Sequence, residues 1–356
     1  MYQPTPRTAS AQRCLIQYSS EFERNQTGPG TNHLECAFWC DFEGADMPAL
    51  ICGSLAYDTI MVFPEKFKEH ILPEKVHILN VSFLVPEMRR QFGGVAGNIS
   101  YNVKLLGGDP YPMATVGDDF GPYQRHLDSL GISTRYVRHL PGEFTPQAFI
   151  TTDVEDNQIT AFHPGAMQQS FLNRVADTEN ITVGIVAPDG KKAMLQHSRD
   201  FQEAGIPHLF DPGQAMTLFN GDELEVFIQE ADWVVLNDYE YQLLQERTGM
   251  RGSEIAREVE ALIVTRGAKG SSLYARNEHR EIEPIEPEQV LDPTGCGDAY
   301  RSGLIYGFEN DLDLVTSCRI GSVIGAIKVA HQGPQGHSPS LQEIQDRFHE
   351  AFGYHF

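Results

Sequence analysis

The sequence predicts an α/β protein: a three-layer sandwich on a mostly parallel central sheet, with a small β-sheet lid. Short apolar runs at 49–56, 183–187, 208–211, 233–237 and 262–265 alternate with helix-forming stretches. That is the pattern of parallel strands covered on both faces. The last third is helical in pattern at 297–307, 315–330 and 341–352. One region, 63–92, interrupts the alternation and carries NVSFLV (80–85), material for a second sheet.

Taken in order, ALICGSLA (49–56) reads as the first buried strand. Residues 98–106 have a helical period that stops at Gly107-Gly108. A strand follows at 113–116, then a helix over 123–130 closed by Gly131. Runs at 149–153 and 158–162, joined across Glu155-Asp156-Asn157, predict a hairpin. With 60–92 it makes the lid, spanning 147–165 in its second part, and a small sheet hinged on a larger domain is the usual form of a lid. There is no internal repeat.

Residues 1–46 are rich in Gln, Thr, Ser, Asn, Gly and Pro and have no strand or helix period. They read as a disordered or non-native extension, with Met47 as the natural start of a domain running to 356. A native arm that packs through its CAFWC segment is the alternative. The expected compartment is the cytoplasm. No apolar run approaches the roughly 18 residues of a membrane span, and MYQPTPRTAS lacks the basic-then-apolar secretory pattern. Six scattered cysteines make no disulfide framework, and the lone C-x₃-C of Cys36 and Cys40 completes no zinc site. A net charge of −22 argues against a nucleic-acid partner. An acidic chain still binds ATP if backbone N–H groups and Mg²⁺ screen the phosphates locally.

LDPTGCGDAYRSG (291–303) carries the strongest chemical signal. Gly295-Cys296-Gly297 is a small-residue turn entering a helix, which lets a phosphate reach backbone N–H groups at a helix start. Asp298, in the first turn, is placed to take a proton from an attacking hydroxyl. The bland reading has Thr294 as cap and Asp298 as a dipole partner. QFGGVAGNISYNVKLLGG (91–108) is a glycine-rich loop entering a helix, where Asn98 is a candidate N-cap. Asp58 follows the first apolar run, and a carboxylate accepts two vicinal hydroxyls well, though a lone aspartate there is more often a turn residue. NDYE (237–240) fits a capping box, Asn237 with Glu240.

Together these motifs resemble the two signatures of the ribokinase-like family of sugar and nucleoside kinases, in the family's order, from about 49 to 335. The second signature is usually D-T-x-G-A-G-D; here Asp292, Thr294, Gly295, Gly297 and Asp298 fit, Pro293 is inserted, and Cys296 replaces the common alanine. The resemblance implies that Asp298 is the base and that Gly295, Cys296 and Gly297 form the anion hole. The Cys296 thiol reads as a small filler, although a helix start favours thiolate. It further implies that Gly94 and Asn98 meet the sugar, that Asp58 binds the ribose diol and that Glu240 holds Mg²⁺ through water. Asn237, Thr265, Gly267 and Gly270 (TRGAKG, 265–270) would lie at the nucleotide.

Within the family the chain is most similar to bacterial, actinobacterial-type adenosine kinases, through GSLAYDTIMVFPEKF, ILPEKVHILNVSFLV and TTDVEDNQITAFHPGAM. That likeness implies transfer of the γ-phosphate of ATP to the 5′-hydroxyl of adenosine. Phe149 and Phe162 would stack on the base, or else form lid core, and Ser54, Ser82 and Gln214 would be further contacts. It also implies a homodimer through the lid and K⁺ activation, with ligands the sequence does not place. GQAMTLFNG (213–221) offers no cation for the γ-phosphate; Arg89, Arg90 and Arg266 are weak candidates. A nicotinamide oxidoreductase would need G-x-G-x-x-G after the first strand, and GSLAYD lacks it. A P-loop kinase needs G-x-x-x-x-G-K-[ST], which is absent. A sugar kinase, a kinase for another nucleoside and a non-catalytic nucleoside sensor are the remaining alternatives.

Overall fold

Every residue of Ala49–Cys52 (β1) is buried. Leu50 and Cys52 face one apolar cluster while Ala49 and Ile51 face another. A strand with both faces covered lies in the middle of a layered sheet, and so it does here. The computed structural model describes residues 48–71, 81–155, 157–275 and 278–356. The expectations for 1–46 and for Met47 lie outside the described residues.

The large sheet has nine strands in the order β13-β12-β11-β10-β9-β8-β1-β4-β5. Besides β1 these are β4 (Pro110–Val116), β5 (Val137–His139), β8 (Val183–Val186), β9 (His208–Phe210), β10 (Trp233–Asn237), β11 (Ala261–Thr265), β12 (Ser271–Ala275) and β13 (Glu278–Ile282). Pairing is parallel from β5 through to β11, and only the β11–β12 and β12–β13 pairings, at one edge, are antiparallel. Helices α1 (Val95–Leu105), α7 (Cys296–Glu309) and α8 (Leu314–Val329) cover one face through Ile99, Leu304 and Cys318. The other face is covered by α3 (Lys191–Ala204), α4 (Gly221–Glu230), α5 (Asp238–Thr248) and α6 (Gly252–Glu258) through Phe201, Phe227, Leu244 and Ile255. α2 (Gly121–Ser129) packs beside β4, and α9 (Leu341–Phe352) lies on α8. Among the described residues no helix is long and apolar enough to cross a membrane.

The chain order reverses around β1: β4 and β5 lie on one side, β8 to β11 on the other. Ligands of open α/β sheets bind at the carboxyl ends beside such a reversal. The chain leaves β1 there to build the lid.

The lid is a four-stranded sheet, β3-β2-β6-β7, from β2 (Ala56–Val62), β3 (Glu87–Gly93), β6 (Gln147–Thr152) and β7 (Gln158–His163). Two expectations are corrected here. The first strand ends at Cys52, because Gly53 passes so close to Ala96 and Ala187 that a Cβ would sit 3.3 Å from Ala187 Cβ. Asp58 is therefore the third residue of a lid strand and not the end of β1. Val81–Val85 of NVSFLV form no strand; the charged run EMRRQFG does. Phe83 instead joins the rings of Phe63 and Phe67, with centroids at 4.8 and 5.0 Å. Apolarity there marked a packing anchor, while main-chain pairing with β2 made the strand.

Candidate active site

α7 begins at Gly295, whose φ of +80° belongs to glycine, and a Cβ there would lie 2.8 Å from Pro334 Cβ. Helix starts leave their first N–H groups without intrahelical partners. The Cys296 N–H is turned onto Pro293 O at 3.2 Å, so it enters any anion hole already engaged. Gly297 and Asp298 follow in the open first turn. The Cys296 thiol is no thiolate: burial pushes its pKa up to about 11, outweighing the Lys328 charge.

α1 starts in the same manner at Gly94, φ +83°, where a Cβ would meet Ser54 O and Ala56 N at 2.6 Å. Gly94 is thus the residue at the N-cap position, and Asn98 lies one turn inside the helix, which corrects its reading as the cap. Its side chain donates to Asp298 Oδ2 at 2.8 Å and accepts from Gln335 Nε2 at 3.0 Å. Gln335 also bonds Tyr123 Oη (3.1 Å) and His126 (2.8 Å), and Tyr123 Oη donates to Gly93 O (2.8 Å). Gly97 makes room for that hydroxyl, since a Cβ there would lie 1.9 Å from it. Tyr123 and Gln335 had no motif to announce them.

Burial raises the Asp298 pKa to about 7, against the Asn98 bond and the Arg301 charge. Burial alone raises Asp58 to about 6. Asp58 Oδ2 lies over Gly93, where a Cβ would approach to 2.5 Å. Two carboxyls with elevated proton affinity thus sit on either side of Gly93 and Asn98, each within electrostatic reach of the other.

A buried cation stands behind them. Arg301, in the second turn of α7, makes a bidentate pair with Asp211 at 2.9 and 3.0 Å. Its Nη2 lies 3.8 Å from Glu240, and its Nη1 donates to Gly297 O at 3.3 Å. Motif reading passed over Arg301 because it lies just beyond the signature and its partner, Asp211, is 90 residues away. Glu240 and Asn237 form both halves of a capping box at 2.8 Å. Among the described residues no group of three or more His, Cys, Asp or Glu converges as a metal site would.

At the nucleotide end Asn237 and Thr265 are register partners at the carboxyl ends of β10 and β11. Gly267 and Gly270 turn the following loop with φ of +54° and +80°. The structure so gathers Asp58, Gly94, Asn98 and the segment 295–298 on one side and Asn237, Glu240, Thr265, Gly267 and Gly270 on the other, with Arg301 and Asp211 between them.

Of the other candidates Ser54 lies against Gly94, while Ser82 and Gln214 stand apart. Ser54 is buried and accepts the Val95 N–H at 3.2 Å. Ser82 is exposed in the irregular stretch before β3, and Gln214 is exposed in the turn Gly213–Leu218. Phe149 and Phe162 cannot form a sandwich. Phe162 pairs with Ala148, which pairs with Asp58, whereas Phe149 pairs with Thr59 and Ala161. Neighbouring strand positions point to opposite faces, so Phe162 shares the Asp58 face and Phe149 the reverse. Arg90 is on that reverse face too, 4.2 Å over the Tyr57 ring and bonded to Gln147. Arg266 is paired with Glu281. Arg89 shares the Asp58 face.

The chain was compared with known proteins. The family model described as pfkB family carbohydrate kinase matches residues 56–341. A solved nucleoside kinase of Burkholderia thailandensis, in complex with inosine, is 48% identical; the match covers 86% of this chain and all (100%) of that one, at a TM-score of 0.79. A nucleoside kinase of Methanocaldococcus jannaschii is 29% identical over 307 residues, 85% of this chain and 98% of that protein. Its solved structure superposes at a TM-score of 0.79. On a match of that length, this chain belongs to the pfkB family of carbohydrate kinases and is a phosphotransferase.

Proposed function

We propose that the protein transfers the γ-phosphate of Mg·ATP to the 5′-hydroxyl of a purine nucleoside, adenosine in the first reading. The observation that carries the chemistry is the Asp298 carboxyl at the mouth of α7, held by Asn98 and facing the space bounded by Asp58. Asp58 accepts the ribose hydroxyls and fixes the sugar. Ionised Asp298 takes the proton of the 5′-hydroxyl as its oxygen attacks the γ-phosphorus. The bond to the β-γ bridging oxygen breaks and ADP leaves. The first-turn N–H groups of α7 and its positive end stabilise the transferring phosphoryl. Magnesium enters with the nucleotide as part of the substrate.

What supports a nucleoside over a free sugar is the likeness to nucleoside kinases, together with the position of Phe162 on the Asp58 face. The inosine in the Burkholderia relative favours a second reading, in which inosine is the better acceptor. The test is ADP release with adenosine, inosine, guanosine, cytidine, ribose and fructose offered separately. Micromolar KM for a purine nucleoside with weak turnover of the sugars is expected; preference for a sugar would overturn the acceptor. Phe162→Ala should raise the nucleoside KM about tenfold and leave that of ribose unchanged, because one stacking contact is worth roughly 1–3 kcal/mol. Phe149→Ala should spare both.

We also propose that Phe149 belongs to a homodimer interface. Phe149, Ile159 and Met88 share the lid face turned away from Asp58, with exposures of 39, 44 and 67%. Light scattering should give twice the chain mass, and Met88→Glu with Ile159→Lys should halve it. A wild-type monomer would refute the interface.

A further inference from the structure

Lys328 is the one lysine among the fully buried side chains of the described residues, at 0% exposure. It stands in the last turn of α8, where the negative end of the helix favours a cation. Its Nζ donates to Asp292 O at 2.7 Å and to His331 O at 3.1 Å. These carbonyls belong to the two loops that shape the phosphate site. The first leads into Gly295. The second, 331–335, carries Pro334, which lies under Gly295, and Gln335, which bonds Asn98. The Asp292 carboxylate ties the same loops from the other side, accepting Thr294 N (2.9 Å), Gly333 N (2.7 Å) and Gln332 Nε2 (3.0 Å).

A buried ammonium is costly unless its surroundings compensate it. Carbonyl oxygens compensate an ammonium as they do a desolvated potassium ion, which bears the same charge and takes the same ligands. We propose that Lys328 is a positioning residue that serves as a tethered monovalent cation, clamping the 292–295 and 331–335 loops so that the phosphate site forms without K⁺ from solution. On this proposal K⁺ activation is not expected, since the Asp292 and His331 carbonyls already hold a cation of their own. The charge is also close enough to act on the Cys296 thiol, at the start of α7.

The inference rests on the reading of 295–297 as the phosphate loop, and its test separates from the choice of acceptor. Wild-type kcat and thermal midpoint are measured in KCl, NaCl and tetramethylammonium chloride at equal ionic strength. Both should be the same in all three salts; K⁺ activation, or a K⁺-specific rise in the midpoint, would overturn the proposal without any variant. The midpoint needs no acceptor, so a wrong nucleoside leaves this arm intact. Lys328→Ala should lose roughly 10²-fold in kcat, the scale of one lost electrostatic contact to the transition state. It should recover, in kcat and in midpoint, with K⁺ or methylammonium and stay impaired in tetramethylammonium, which is too large for the cage. A folded Lys328→Ala protein with a far-ultraviolet spectrum like that of wild type and no response to any of these cations would refute the tethered-cation role and leave Lys328 as a packing residue.

Discussion

Asp298→Asn should lower kcat by roughly 10²- to 10⁴-fold while nucleoside binding persists. The amide keeps the shape of the carboxyl and can still pair with Asn98 after rotation, but it takes no proton. Retention of kcat within a few fold would remove Asp298 from the mechanism. A second readout comes from its pKa, raised by burial to about 7. A base works ionised, so kcat/KM should rise with pH up to about 7 and level off above. The same shift bears on stability. A carboxyl whose folded pKa is above its unfolded value of 3.8 costs nothing below pH 3.8, and its cost grows until the folded group has ionised near pH 7. Above that pH the wild type carries a desolvated charge that the variant lacks. Asp298→Asn should therefore be more stable by about 4 kcal/mol at pH 8, with the gain shrinking toward pH 4. Urea titrations at the two pH values check the sign; a variant that is less stable at pH 8 would place Asp298 in a structural network.

The sequence disclosed what is local. The segment 291–303 shows its glycines and its aspartate together, and a turn running into a helix is decided by neighbours in the chain. Capping at Asn237 was legible for the same reason, through Glu240 three residues on. Burial of short apolar strands such as β1 was also legible, since both faces are covered and no alternation is needed. What was hidden is long-range. Gln335 joins the site by bonds to Asn98 and Tyr123, over 237 and 212 residues, and neither spacing nor composition marks it. The lid shows a subtler loss. Phe149 and Phe162 both belong to a hairpin, but their faces depend on which residues pair, and one step of register exchanges the faces. β3 was missed because its seven residues are mostly polar, and pairing rather than burial holds it.

The most deeply buried ion pair of the site is Arg301–Asp211, and breaking it should have the largest effect on stability. Both side chains are nearly enclosed, at 6 and 3% exposure, with two hydrogen bonds between them. Asp211→Ala strips the buried guanidinium of both charged hydrogen bonds, leaving Glu240 at 3.8 Å, the Gly297 carbonyl and the field of Asp298. Arg301→Met leaves the carboxyls of Asp211, Glu240 and Asp298 without their shared cation. Either change should cost about 3–5 kcal/mol, because one buried charge is stranded. The pair itself is worth much less, so Asp211→Leu combined with Arg301→Met should recover most of the loss; a double variant as unstable as the sum of the singles would contradict this account. The two single variants should also part in a way that packing alone does not produce. Arg301 lowers the Asp298 pKa and Asp211 raises it. The acid limb of kcat/KM should therefore move above pH 7 in Arg301→Met and below it in Asp211→Ala. Shifts of the same sign in both would mean that the pair acts on Asp298 through geometry rather than charge.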